Sequence, residues 1–314
     1  NPNLTLSDTK KLDGKEYPAE NKPLAGSDQF VSQNIQACLE KADIFINNPG
    51  AAAEGSIADL KDLAHQLASF VALMQHPGLV TPTKIERCMQ IAYSAKVNSG
   101  CISRQVGAAI ADSNYSIKAV GWNDVPAGQV PCLLRKAGDL VESRDADAFS
   151  EYELHDQRFQ KHMQGRYKRF NIALAGGRSS SFCFKSEYNN LESPKMKGNQ
   201  VHTRSLHAEE NAFLQISKYG GAGIEGGILF TTASPCELCS KKAFQLGITR
   251  IFYIDPYPGI SLSHILGSGP QKMRPSVELF SGAVGQAFHR LYDPMLPYKD
   301  EIEVFMTHTG EQQG

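Results

Sequence analysis

The sequence predicts an α/β fold in which helices cover a mixed central sheet. Two strand-like segments, 105–110 and 117–122, flank the turn residues 112–114 and form a predicted antiparallel hairpin. Beyond residue 204, helix, strand, helix and strand patterns follow one another along the chain. Strands joined by helices favour parallel pairing, whereas a hairpin is antiparallel, so the two patterns together predict a mixed sheet.

Composition and charge narrow the class of protein. The 314 residues are 41% hydrophobic, which is enough for one large core or two modest ones. A formal net charge of −1 and a pI near 6.8 provide no general attraction to a polyanion such as nucleic acid. No apolar run approaches the roughly 20 residues of a membrane helix, and no signal segment begins the chain. We therefore expect a soluble cytoplasmic protein, in which the scattered cysteines are reduced.

The first 78 residues are expected to form a partial α/β segment. After a polar surface stretch, helical spacing covers 29–41, and the short apolar run 42–47 predicts a buried strand. Ser56 is placed to cap a second helix, which His76-Pro77-Gly78 ends. We place the boundary to a second domain, residues 79–314, directly after this stop.

The second domain is expected to begin with a third helix and to carry a long insertion. The helix starts near Thr83, where apolar residues recur at helical spacing. Residues 127–204 are charged, rich in Gly and Ser, and weakly periodic apart from a helix at 150–170, so we assign them to an insertion. Residues 255–314 are expected to add further helices and an edge strand at 302–306.

The strongest functional signal lies between residues 207 and 239. His207-Ala208-Glu209 opens one predicted helix, and Pro235-Cys236-Glu237-Leu238-Cys239 opens the next, with a strand between them. One imidazole and two thiolates suit a tetrahedral Zn²⁺ whose fourth position stays free for water. Helix N-termini also favour the thiolate forms. The pattern is that of zinc deaminases, in which the glutamate moves protons and does not bind the metal.

These residues also have structural interpretations. A lone C-x-x-C is common in structural zinc and redox sites, but a structural zinc would need a fourth protein ligand. The joint pattern favours a catalytic zinc over both alternatives. A second zinc site in the insertion would have to use residues whose spacing matches no common ligand pattern: Cys132, Cys183, His155, His162 and His202.

Four blocks in order carry a family resemblance. They are Arg104-Gln105-Val106-Gly107-Ala108, Gly121-Trp122-Asn123 followed by Pro126, His207-Ala208-Glu209-Glu210-Asn211-Ala212, and Ser234-Pro235-Cys236-Glu237-Leu238-Cys239. Together with the strand that ends in Tyr253, they resemble the deoxycytidylate deaminase branch of the cytidine deaminase superfamily. The resemblance implies a cytidine deaminase-like three-layer α/β/α fold and hydrolysis of dCMP or dCTP to the uracil nucleotide and ammonia.

The resemblance also implies functions for individual residues. His207, Cys236 and Cys239 would bind Zn²⁺, and Glu209 would be the proton shuttle. Substrate contacts are assigned to Asn123, Arg104, Ala208 and Ser234, with Asn123 on the deoxyribose. From its local context alone, Asn123 is equally a turn residue and a partner for a sugar hydroxyl. The resembling enzymes assemble, so we expect a homo-oligomer.

A narrower resemblance rests on Thr81-Pro82-Thr83, the block at 103–107, Arg274-Pro275 and Phe280-Ser281-Gly282. These segments resemble bacterial anti-phage deoxycytidine nucleotide deaminases, in which a P-loop kinase-like domain precedes the deaminase. Residues 28–48 would then be the end of that first domain. The sequence contains no G-x-x-x-x-G-K-[ST], so we expect the phosphate-binding loop to lie upstream of Asn1 or to be lost. Such enzymes deplete the deoxycytidine nucleotide pool during infection.

Two other functions stay open. A deaminase of single-stranded DNA or RNA would need a local basic groove, for which the insertion offers a candidate patch: Arg135, Lys161, Arg166, Lys168 and Arg169. A non-catalytic nucleotide-sensing module would use the zinc as a structural ion. The preference for a mono- or triphosphate also stays open, because the insertion separates Asn123 from His207.

Overall fold

A computed structural model describes residues 35–48, 57–192, 203–220, 223–256 and 261–310, together with Ser7. The predicted N-terminal surface stretch, the Ser56 cap and His202 lie outside these residues. None of the helices that are described combines the length and apolar character required to cross a membrane.

The helices and strands are numbered along the chain. The helices are α1 (Ile35–Lys41), α2 (Ile57–Gln75), α3 (Lys84–Ala95), α4 (Ala137–Val141), α5 (Glu151–His155), α6 (Gln157–Lys168), α7 (Phe184–Glu192), α8 (Ala208–Tyr219), α9 (Glu237–Gln245), α10 (Gly285–Tyr292) and α11 (Tyr298–Gly310). The strands are β1 (Ile44–Phe45), β2 (Gly107–Ala111), β3 (Ile117–Trp122), β4 (Ile228–Ala233), β5 (Arg250–Asp255), β6 (Ser276–Leu279) and β7 (Gly282–Ala283).

Five strands form the central sheet in the order β3-β2-β4-β5-β6. The predicted hairpin is confirmed: β2 pairs antiparallel with β3, and on its other side it pairs antiparallel with β4. All six residues of β4 are buried, because this strand lies inside the sheet with both faces covered. The sheet is mixed, as predicted.

Helices pack directly on both faces of the sheet. Gly107 and Trp122 are register partners and share one face, so Gly121 lies on the other. A Cβ on Gly107 would lie 2.0 Å from the Ala92 carbonyl oxygen in α3, and a Cβ on Gly121 would lie 2.2 Å from the Ala208 carbonyl oxygen in α8. Helices α3 and α8 therefore lie on opposite faces, and the predicted three-layer arrangement is confirmed.

Over the described residues 127–192, the insertion is a folded helical element and not an irregular loop. Helices α4 to α7 enclose their own apolar core, formed by Ala137, Leu140, Ala148, Phe149, Phe159, Met163 and Phe182. The two ends of the insertion are joined where Asp124 and Leu206 form an antiparallel bridge. Two of its helices have only five residues, which is too short to show helical periodicity in the sequence.

The described chain divides into two compact units, and the C-terminal residues return to the first. Of the described residues, those before 87, those at 254–256 and those from 279 onward form one unit, and those within 87–253 and 257–278 form the other. Within the first unit, β1 pairs with β7, and Phe70 and Leu73 of α2 form an apolar cluster with Ala283 of β7 and Leu291 of α10. This return of the chain was not predicted, because β1 and β7 each have only two residues.

The prediction of an edge strand at 302–306 is wrong. These residues lie inside α11, and the edge strand next to β5 is β6. Apolar and polar residues alternate only from Glu301 to Val304, which is too short a stretch to outweigh the helical segment around it.

Candidate metal centre

The predicted metal ligands lie together at the starts of two helices. His207 is the N-cap residue of α8, and Cys236 is the N-cap residue of α9. The Nδ1 atom of His207 lies 3.3 Å from the Cys236 Sγ and 3.5 Å from the Cys239 Sγ. All three ligand atoms lie within 4.8 Å of one another. The structure therefore brings together the residues that the spacing selects.

The cluster fits a zinc ion in both size and chemistry. Zn–S and Zn–N bonds of tetrahedral sites place a sulfur and a nitrogen ligand roughly 3.5 Å apart. The two Sγ–Nδ1 distances of 3.3 and 3.5 Å match that separation. Thiolate and imidazole donors also suit zinc, whereas magnesium and calcium prefer oxygen donors.

The number of ligands favours a catalytic zinc over a structural one. In the part of the chain that the structure describes, the cluster has three members, His207, Cys236 and Cys239. A structural zinc site is closed by four protein ligands, whereas a catalytic site keeps one position for water or substrate. The three-residue cluster therefore has the ligand count of a catalytic centre.

Hydrogen bonds within the cluster set its protonation. A hydrogen bond from the Cys239 thiol is the main cause that lowers the pKa of Cys236 to about 4. The same hydrogen bond raises the pKa of Cys239, and a hydrogen bond with Cys236 raises the pKa of His207. One thiolate therefore forms readily, and a bound cation would supply the charge that holds the second.

Glu209 lies on the first turn of α8 and is buried beside the cluster. Only 3% of the residue is exposed, and this burial raises the pKa of its carboxyl group. The Thr231 hydroxyl on β4 donates a hydrogen bond to Glu209 Oε1 over 3.2 Å. Among the described residues, Glu209 is not a member of the ligand cluster, and that it moves protons stays a prediction.

Further contacts hold the segment that leads to Cys236. The Pro235 carbonyl oxygen accepts hydrogen bonds from the Ser261 hydroxyl at 2.8 Å and the Ser240 hydroxyl at 3.4 Å. Lys242 of α9 forms an ion pair with Glu210 of α8. Thr231, Ser261 and Lys242 were not predicted as site residues, because no local spacing connects them to the metal ligands.

The predicted substrate contacts differ in their surroundings. The Asn123 Oδ1 accepts from the Val106 N–H at 2.7 Å, and its Nδ2 donates to the Arg104 carbonyl at 2.8 Å. The side chain therefore holds the loop before β2. Ala208 is fully buried in the main core, and Ser234 is 3% exposed. That Asn123, Arg104, Ala208 and Ser234 contact substrate stays a prediction.

The basic patch suggested for nucleic acid is not formed as a continuous surface. Arg135 is fully buried and forms an ion pair with Glu153. Arg166 pairs with Glu187, which leaves Lys161, Lys168 and Arg169 as the exposed members. A second zinc site is likewise not formed among the described residues, because His155 pairs with Glu151 and His162 with Glu187. His202 lies outside them.

Comparisons with known proteins identify a matching family and several relatives. The family model described as the cytidine and deoxycytidylate deaminase zinc-binding region matches residues 82–255, which include the whole cluster and Glu209. The deoxycytidylate deaminase of Enterobacteria phage T2 is 31% identical over 174 residues, covering 55% of this chain and 81% of that protein. The phage T4 deoxycytidylate deaminase is 31% identical over 176 residues, covering 55% and 79%. The crystal structure of the cyanophage S-TIM5 dCMP deaminase is 23% identical with a TM-score of 0.35, covering 64% of this chain and 100% of that one.

Proposed function

Because the chain belongs to the cytidine and deoxycytidylate deaminase family, we propose that it hydrolyses the exocyclic amine of a deoxycytidine nucleotide, dCMP or dCTP. Water is consumed, the uracil nucleotide is formed and ammonia is released. One observation carries the proposal: a three-donor zinc cluster lies beside a buried carboxyl group that is not one of its ligands. These are the parts that hydrolytic deamination requires.

The residues divide the chemistry between binding and proton transfer. His207, Cys236 and Cys239 would hold zinc, whose Lewis acidity makes water nucleophilic near neutral pH. Glu209 takes a proton from the attacking water and delivers it to the ring nitrogen of cytosine. It then transfers the second proton to the departing amine, so that the carboxylate is regenerated. Burial of Glu209 keeps bulk water from competing for these protons.

A direct assay tests the proposal. Zinc-loaded protein is incubated separately with dCMP and dCTP, and the uracil nucleotide and ammonia are measured. Glu209→Gln keeps the volume of the side chain but cannot accept a proton, so we expect kcat to fall about 10²- to 10⁴-fold with zinc retained. Glu225→Gln makes the same change at an exposed residue outside the cluster, and it should keep kcat close to that of the unmodified protein. Turnover of neither nucleotide would refute the proposed function.

The narrower proposal is depletion of deoxycytidine nucleotides during phage infection by an oligomeric cytoplasmic enzyme. Its support is the motif resemblance at 81–83, 103–107, 274–275 and 280–282. Cells that express the gene are infected with phage, and plaques and nucleotide pools are measured beside a Glu209→Gln strain. Equal plaque counts in both strains would exclude the defence function while leaving the deaminase activity to be judged by the direct assay. Mass measurement of the purified protein tests the oligomer.

A further inference from the structure

A buried threonine contacts the proposed proton shuttle from the central strand. Thr231 lies on β4 and is fully buried. Its Oγ1 lies 3.2 Å from Glu209 Oε1 and 2.8 Å from the Ala233 carbonyl oxygen. Ala108 is the register partner of both Gly121 and Thr231, so Thr231 is on the sheet face that α8 covers. The contact with Glu209 therefore follows from the register of the sheet.

Packing alone does not account for a hydroxyl at this position. Valine has nearly the same shape as threonine and would fill a buried position on a strand without burying a polar group. A buried hydroxyl is retained where it has hydrogen-bond partners, and this one has a single proton to donate. Two acceptors share that proton in a three-centre hydrogen bond: Glu209 Oε1 and the Ala233 carbonyl oxygen, which lies on the backbone that leads through Ser234 and Pro235 to Cys236. The hydroxyl therefore connects the proton shuttle to the segment that carries two zinc ligands.

We propose that Thr231 is a positioning residue for Glu209, an inference that rests on the proposed deaminase function. With Oε1 hydrogen-bonded to Thr231, rotation of the carboxylate about its last side-chain bond is restricted. The carboxylate is then held in one orientation before it accepts the first proton. Removing a partner that orients a reacting group in this way typically lowers activity about 10- to 100-fold.

Three variants on the same strand separate positioning from packing. Thr231→Val removes the hydroxyl and keeps the shape, and we expect kcat to fall about 10- to 100-fold with KM changed less than about threefold. Thr231→Ser restores the hydroxyl and should recover most of kcat. Thr232→Val is the matched control: it removes a buried hydroxyl that accepts from the Gly107 N–H, on the opposite face of the sheet. It should lower stability without lowering kcat.

A measurement that does not depend on turnover completes the test. In a double-mutant cycle with Glu209→Gln, the loss of Tm in the double variant should be smaller than the sum of the single losses by about 2–4 °C. Additive losses would overturn the inference whether or not the protein turns over a nucleotide. So would an unchanged kcat in Thr231→Val, a Thr231→Ser variant as slow as the valine variant, or a loss of kcat that follows loss of zinc. Absence of turnover in the unmodified protein would instead refute the proposed function.

Discussion

Replacing Gly121 by alanine should displace the helix that carries His207 and Glu209. An added Cβ would lie 2.2 Å from the Ala208 carbonyl oxygen and 2.5 Å from the Ala212 nitrogen, whereas ordinary contacts begin at 3.4 Å. The first turn of α8 would have to move outward by about 1 Å, which is several times the roughly 0.2 Å tolerance of a zinc site. A misplacement of that size can cost about 10²-fold in catalysis, and overpacking a core costs about 1–3 kcal/mol.

Two other glycines provide matched controls for this prediction. Gly107→Ala makes a similar clash on the opposite face, 2.0 Å from the Ala92 carbonyl oxygen, but α3 carries no metal ligand. Gly165→Ala lies in α6 and meets no atom within 4 Å, so it should be neutral or slightly stabilising. Zinc affinity is measured by competition with a chromophoric chelator, and stability by thermal unfolding.

The three variants should separate stability from zinc affinity. We expect Gly121→Ala to lose both, Gly107→Ala to lose stability alone, and Gly165→Ala to lose neither. If Gly121→Ala and Gly107→Ala lost stability equally and bound zinc equally well, the packing of β3 would not set the position of α8. The reasoning from the Cβ clash would then be refuted.

Three further predictions concern metal and buried charge. Removing zinc with a chelator should abolish deamination and lower Tm, and adding Zn²⁺ should restore both, because ligand binding stabilises the folded state. Glu86→Ala removes the acceptor of Thr83 N–H, Ala283 N–H and the Tyr292 hydroxyl, and urea unfolding should show a loss of at least about 1–3 kcal/mol. Tyr292→Phe, which removes one of these donors, should cost less. Glu153→Gln leaves Arg135 buried without its carboxylate, and we expect a loss of about 3–5 kcal/mol together with faster proteolysis of the insertion.

The hairpin and the two helices that carry the metal site could be predicted, because their sequence signals are local. The hairpin at 105–122 and the two helices that begin at His207 and Cys236 each carry their periodicity and end signals within a short window. The insertion could not be predicted in detail, because its helices are short and its core joins residues as distant as Ala137 and Phe182. The return of 279–314 to the first unit depends on pairing between short strands, for which the sequence carries no comparable signal.

The candidate site divides in the same way between local and distant signals. The three-residue cluster could be predicted, because the spacing of Cys236 and Cys239 and the pairing of His207 with Glu209 are properties of short segments. The residues that contact Glu209 and Pro235 from elsewhere in the fold could not be predicted. Thr231 is 22 positions from Glu209, and Ser261 is 26 positions from Pro235, so both contacts exist only once the sheet has formed.

The geometry of the centre is therefore a property of the sheet more than of the ligand motif. Gly121 on β3 allows α8 to approach closely enough to place His207 and Glu209. Thr231 on β4 contacts Glu209, and the Ala233 carbonyl that it also contacts precedes Cys236 by three residues. The same short ligand motif on a scaffold without these supports would still offer two sulfurs and a nitrogen to zinc. Nothing in the motif would hold the carboxylate of Glu209 at a fixed orientation beside the metal, so such a scaffold should bind zinc and deaminate slowly.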